Sequence, residues 1–179
     1  MSVTDSTLLD EILPDFDVAS KYSIRIRATP DRIFQILQSG VPTGTVTKLL
    51  MMLRRVPRMF AQQRNEEQPS FYKLKQSQGR EIVIGIAGQF WKPVAGTVAI
   101  NSLEEFLHFQ RNNYSKAALN MQITPTAEGV CILSTETRIQ SFGAAKEKFR
   151  SYWQMIKPFS GIIRKEMLRK IKKQAEAAR

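Results

Sequence analysis

The sequence predicts a single α+β domain in which an antiparallel sheet packs against one long C-terminal helix. Three observations carry this reading. A strand with strict two-residue alternation opens the patterned part of the chain at residues 21–28. Short strand-like segments joined by tight turns fill the middle. Apolar residues at spacings of three, four and seven run through residues 144–177, the period of an amphipathic helix. The 179 residues fit one domain better than two, and 42% hydrophobic content is enough for a core.

Residues 1–18 read as an acidic lead-in, a short helix or partly mobile segment, with the domain proper spanning 19–179. In the first strand Tyr22, Ile24, Ile26 and Ala28 face one way and Lys21, Ser23, Arg25 and Arg27 the other. Thr29-Pro30-Asp31 then supplies a helix start: a hydroxyl cap, proline at the first helical position and an acid in the first turn. Ile33, Phe34, Ile36 and Leu37 form the stripe of that helix, and Gly40 with Pro42 ends it. A second helix is predicted over 45–53, with polar loop at 62–69.

Segments 71–76 and 81–87 flank Ser77-Gln78-Gly79-Arg80 as a predicted hairpin. Further strands are expected at 88–91, 97–100, 105–109, 115–123 and 129–139. Short connections between neighbours imply antiparallel order. In the last helix the stripe comprises Phe149, Tyr152, Trp153, Ile156, Ile163, Met167 and Ile171. Pro158 and Gly161 predict a bend or break at 157–161. A sheet curled about such a helix encloses more space than side chains fill, which is a natural small-molecule site.

Charge is uneven along the chain, whose net is +11. Residues 1–20 carry five acids and no base, whereas residues 144–179 carry 11 bases and 3 acids. A basic face of this kind meets an anionic membrane surface, nucleic acid or an acidic partner, or simply keeps the chain in solution. No nucleic-acid partner is expected, because no zinc finger, helix-turn-helix or RNA-binding aromatic signature is present. One cysteine, Cys131, excludes an intrachain disulfide and a cysteine-based metal site. A cytoplasmic location is expected: the N-terminus lacks a basic region followed by an apolar stretch, and no run approaches a membrane span. Either a monomer or a homodimer is compatible with the pattern.

The stretch YSIRIRATPDRIFQIL resembles the opening of START-like proteins, the SRPBCC superfamily that includes polyketide cyclases and pollen-allergen-like carriers. Here Pro30-Asp31 follows Ala28-Thr29, a small departure from the usual Ala-Pro. The stretches EIVIGIAGQFW (81–91), STETRI (134–139) and FRSYWQMIKPFSGIIRKEMLRKIKKQAE (149–176) are similar to a bacterial branch of that superfamily. The resemblance covers residues 19–177. It implies a helix-grip fold, with six to seven strands wrapped on the last helix and two short helices after the first strand. It also implies a cavity for lipids, sterols, polyketides or other apolar molecules. Some members are enzymes, so membership implies a cavity and not a chemistry.

Candidate site residues follow from residue type. His108, the sole histidine, lies in the strand-like FLHFQ, opposite Leu107 and Phe109; it is either an acid/base in the cavity or an ordinary sheet-surface histidine. Glu136 and Arg138, two apart on one strand, share a face and either orient a polar ligand group or form a structural pair. Glu136 is the second acid/base candidate, for a cyclase, dehydratase or hydrolase. Trp153, Phe149, Tyr152 and Ile156 on the long helix, with Trp91, Tyr114 and Phe106, are expected to line the cavity or to be plain core. Met51 and Met52 are candidates for an adaptable lid. Cys131 reads as core. No metal-binding or cofactor motif is present: there is no P-loop or dinucleotide glycine motif, and one histidine excludes HExxH. The expected function is binding of a small apolar or amphipathic ligand.

Overall fold

The computed structural model describes residues 6–40, 71–92, 96–126 and 129–177. The predicted helix at 45–53 with Met51 and Met52, and the loop at 62–69, lie outside the described residues. In chain order the elements are α1 (Leu8–Ile12), β1 (Val18–Ile26), α2 (Pro30–Gln38), β2 (Tyr72–Ser77), β3 (Glu81–Gly88), α3 (Leu103–His108), β4 (Ser115–Pro125), β5 (Cys131–Ser141) and α4 (Ala145–Glu176). The architecture is α+β, with a five-stranded, wholly antiparallel sheet in the order β1-β5-β4-β3-β2 among the described residues.

Local signals account for most of these elements. Thr29 accepts from the Arg32 N–H at 3.3 Å, Pro30 takes the first helical position, and Ile33, Phe34 and Leu37 are buried, as the pattern predicts. The β2–β3 hairpin turns through Gly79, whose φ of +68° favours glycine, with Arg80 N–H donating to the Ser77 carbonyl at 3.1 Å.

Three strand expectations are corrected. Residues 105–109 are not a strand: they lie mostly in α3, which starts where the Ser102 hydroxyl accepts from Glu105 N–H at 3.0 Å. Two acids in its first turn favour helix there over the weak strand pattern. The segment 88–91 is the end of β3 followed by a turn, and 97–100 contributes only a bridge between Val98 and Ala87.

The expected break in the last helix is absent, since α4 runs for 32 residues through Pro158. Proline removes one backbone donor, at a cost of about 3 kcal/mol. The buried Phe149 before it, and Ile163, Met167, Leu168 and Ile171 after it, hold both halves in place.

Both faces of the sheet are covered, not one. On the inner face Ile26, Leu119, Met121, Ile123, Cys131 and Leu133 pack with Ile33, Phe34 and Leu37 of α2 and Met167, Leu168 and Ile171 of α4. On the outer face Leu74, Val83, Ala87 and Ala118 pack with Leu9, Ile12 and Leu13 around α1 and Phe106 of α3. Residues 7–13 therefore pack into the outer-face core: α1 opens with a reciprocal cap between Thr7 and Asp10 and buries Leu9 and Ile12. Among the described residues no helix is long and apolar enough to cross a membrane.

Candidate functional site

Strand pairing sorts the side chains. Ser20, Tyr22, Ile24 and Ile26 of β1 lie opposite Thr137, Thr135, Leu133 and Cys131 of β5, and Leu119, Met121 and Ile123 of β4 continue the same face. Ile82 and Ile84 of β3 complete it, opposite Met121 and Leu119. This is the face that α4 crosses.

Coverage along α4 is uneven. Phe149 near its start and Ile163, Met167, Leu168, Ile171 and Ala175 in its second half are buried. Between them, on the same inward stripe, Tyr152, Trp153, Ile156, Ser160 and Arg164 are only half-buried. Facing them, Tyr22, Ile24, Ile82, Ile84, Ala117 and Thr137 are half-buried as well. Among the described residues the middle of α4 and the sheet face opposite it are thus only partly buried, with Tyr22, Ile24, Ile82 and Ile84 packed against the edge of the core.

Aromatic rings gather near the start of α4. Phe149 stacks on Trp153 with ring centres 6.0 Å apart and planes at 26°, and it meets Tyr152 at 6.0 Å. Phe90, in the turn after β3, approaches Phe149 edge-on at 6.4 Å. Phe90 is not among the sequence candidates, because a residue just past a strand has no periodicity to place it. Trp91 beside it is half-buried.

Arg164 lies on the same stripe and is half-buried. It is four residues before Leu168 and seven before Ile171, hence on the stripe that faces the sheet. The neighbouring Gly161 leaves room for the Tyr22 hydroxyl, which lies 2.8 Å from where a Cβ on Gly161 would stand. Burial pushes the Arg164 guanidinium down to about 10, with Tyr22 partly offsetting this. It remains cationic at neutral pH.

The polar candidates lie elsewhere. Glu136 and Arg138 are on the outer face, across the sheet from α4. Arg138 Nε donates to Glu136 Oε1 at 2.7 Å and Nη2 to Asp10 Oδ1 at 2.6 Å, while Nη1 reaches the Leu13 carbonyl at 3.2 Å. Lys21 stands 3.5 Å from the other Glu136 oxygen. Glu136 and Arg138 thus form an ion pair with each other, because β-strand alternation places both on the face that α1 covers.

The Thr7 backbone N–H, and after it the Arg138 guanidinium, hold the Asp10 carboxyl at about 2 against the opposing effect of burial. Glu81, 2% exposed, completes the network by accepting from Leu8 N–H at 2.9 Å and Asn120 Nδ2 at 2.8 Å.

His108 is exposed at the C-terminal end of α3, its Nδ1 2.9 Å from the Glu104 carbonyl. Neither acid/base candidate lies on the face that α4 crosses. Phe106 is fully buried in the outer-face core and Tyr114 packs edge-on to Phe109 beside it at 6.2 Å, so neither faces α4.

Lys116 also belongs to the outer layer, donating to the Phe106 and Leu107 carbonyls at 3.1 and 2.9 Å, and burial lowers its pKa. Cys131 is core as expected, 2% exposed, and burial pushes its thiol up. Among the described residues no cluster of metal-ligating side chains occurs. A separate cleft of about 420 Å³ opens between the start of α2, the Gln78-Gly79-Arg80 turn and the end of β4, and contains none of the candidates.

No family model and no curated protein sequence matches the chain. Among solved structures it is similar to the crystal structure of TTHA0849 from Thermus thermophilus, at 9% identity and a TM-score of 0.34 over 90% of this chain and 99% of that one.

Proposed function

We propose that the chain is a ligand-binding domain of the START-like, helix-grip type that takes a small apolar or amphipathic molecule into the groove between the sheet and α4. The observation that supports this reading is the partial burial, among the described residues, of the middle of α4 and of the apolar sheet face opposite it. Residues on the inward stripe of a helix, opposite the apolar face of a sheet, are normally buried. Here Trp153, Ile156, Ile82 and Ile84 are half-buried, while their neighbours at both ends of the helix are closed in. The resemblance of the opening strand and helix to START-like proteins supports the same reading.

The reading is of binding and not catalysis, since His108 and Glu136 lie in or facing the outer layer. Native mass spectrometry of the purified chain, followed by denaturing extraction, tests it. A retained molecule of defined mass, lost from Trp153→Ala without loss of fold, is expected. Equal retention by Trp153→Ala would exclude Trp153 from the lining.

A second reading has its own observation. Met155 and Ile162, seven residues apart on the outward side of α4, are 64% and 60% exposed, and Lys157, Lys165 and Arg169 are exposed on the same helix. Exposed apolar side chains among cations suit contact with an anionic membrane surface. Co-sedimentation with vesicles containing phosphatidylserine, but not with neutral vesicles, is expected from this reading. Binding indifferent to salt would count against it.

A further inference from the structure

The outward side of α4 carries two features that folding alone does not favour. Met155 and Ile162, two helical turns apart, are 64% and 60% exposed. Arg169 continues their line two turns further on, and Lys165 and Lys173 flank it four residues to either side, all three exposed. Like charges four residues apart on a helix repel each other. The nearby acids do not relieve this row, because Glu166 is turned to Lys170 at 3.3 Å and Glu176 to Lys172 at 3.8 Å. Complementing the helix dipole accounts for a cation in the last turn, such as Lys173, but not for Lys165, about three turns before the end at Glu176.

One kind of surface satisfies both features. A lipid layer offers anionic headgroups above hydrocarbon, so short apolar side chains enter it while long cationic ones reach back to the headgroups. A nucleic-acid backbone answers the cations and leaves the apolar pair in water. The two features are also displaced along the helix: the apolar pair lies in its middle and the cations in its C-terminal part.

We infer that α4 rests on an anionic lipid surface in one orientation, with its axis inclined so that Met155 and Ile162 enter the acyl boundary while Lys165, Arg169 and Lys173 stay among the headgroups. This rests on the second reading above, and adds to it which residues enter, which remain at the headgroups and which way the molecule is turned. The contact runs about 27 Å along the helix from Met155 to Lys173. The outer face of the sheet, with α1 and α3, then points away from the lipid.

Site-specific fluorescence on the full chain reads this orientation. Cys131 is 2% exposed, so a thiol-reactive, polarity-sensitive dye labels introduced cysteines selectively. Met155→Cys, Ile162→Cys and, on the far side, His108→Cys are each labelled. They are then mixed with vesicles containing phosphatidylserine or with phosphatidylcholine alone. Emission at 155 and 162 should shift to the blue with the anionic vesicles only, with no shift at 108. In co-sedimentation, the triple variant Lys165→Gln/Arg169→Gln/Lys173→Gln should partition roughly a hundredfold more weakly, from about fivefold per cation. Ile162→Ser should lose about tenfold. All these positions are exposed, and circular dichroism checks that the variants fold.

Vesicle binding with 155 and 162 unshifted keeps the membrane reading and overturns the orientation. Binding that the triple variant retains in full overturns the headgroup contact and the inference with it. If neither vesicle binds, the reading and the inference fall together. If polyglutamate binds instead through the same three cations, the row belongs to an acidic protein segment and the inference is equally overturned.

Discussion

Arg138 on β5 reaches Asp10 on α1 across 128 residues of sequence, Nη2 to Oδ1 at 2.6 Å, and so ties the acidic N-terminal segment to the outer face of the sheet. The same guanidinium holds Glu136 and the Leu13 carbonyl, so one side chain joins strand, helix and the residue after it. The N-terminal acids are thus partly a docking device and not only a solvated lead-in.

Arg138→Met should therefore destabilise the domain by roughly 3 kcal/mol, the scale for breaking a buried ion pair while its partners stay in place. Denaturant unfolding gives the change, and hydrogen exchange at residues 8–13 should rise with it. A loss under about 1 kcal/mol, with exchange unchanged, would mean that apolar packing of Leu9, Ile12 and Leu13 alone seats α1.

Acid should loosen the same contact in a defined window. The Asp10 carboxyl is near 3.8 when free and about 2 in the fold. Its contribution is then fully present above about pH 4 and is lost as pH falls toward 2. Asp10→Asn should flatten this part of the stability profile measured by urea unfolding between pH 5 and pH 2. An unchanged acid limb in Asp10→Asn would assign the loss to other carboxylates.

Gly161→Ala reverses the usual sign. Alanine in a helix interior normally gains about 0.5–1 kcal/mol over glycine. Here the added Cβ would stand 2.8 Å from Tyr22 Oη and 3.4 Å from Cζ. A net loss of about 1 kcal/mol is expected from overpacking. The double variant Gly161→Ala/Tyr22→Phe should recover most of it in thermal unfolding. A stabilised single variant would show that the tyrosine moves aside at no cost.

Phe149 and His108 should behave as opposites. Phe149 is 2% exposed with three aromatic neighbours, so Phe149→Ala should cost about 3–5 kcal/mol. His108→Gln, at an exposed helix end, should stay within about 0.5 kcal/mol by the same unfolding measurement. A large loss at His108 would reveal a contact that its side chain does not show.

Local pattern was enough for the elements with strong periodicity or chemistry. Alternation in β1, the Thr29-Pro30 start of α2, the Gly79 turn and the stripe of α4 all read directly, because φ/ψ preference, capping and burial period are properties of neighbours in sequence. The α3 start is encoded locally by Ser102 with Glu104 and Glu105, whereas the alternation over 105–109 suggests a strand.

What the chain alone determined is therefore an α+β domain with a long amphipathic final helix. Only the tertiary structure decided which layer each site residue belongs to. Strand alternation pairs Glu136 with Arg138 on one face but does not say which face meets α4, and that depends on α1 returning to cover the other side. Nor does periodicity distinguish Arg164 from the other cations of the helix. Its half-buried position on the inward stripe, with no ion-pair partner among the described residues, depends on what folds opposite it, and a one-dimensional pattern contains no information about partners more than a hundred residues away.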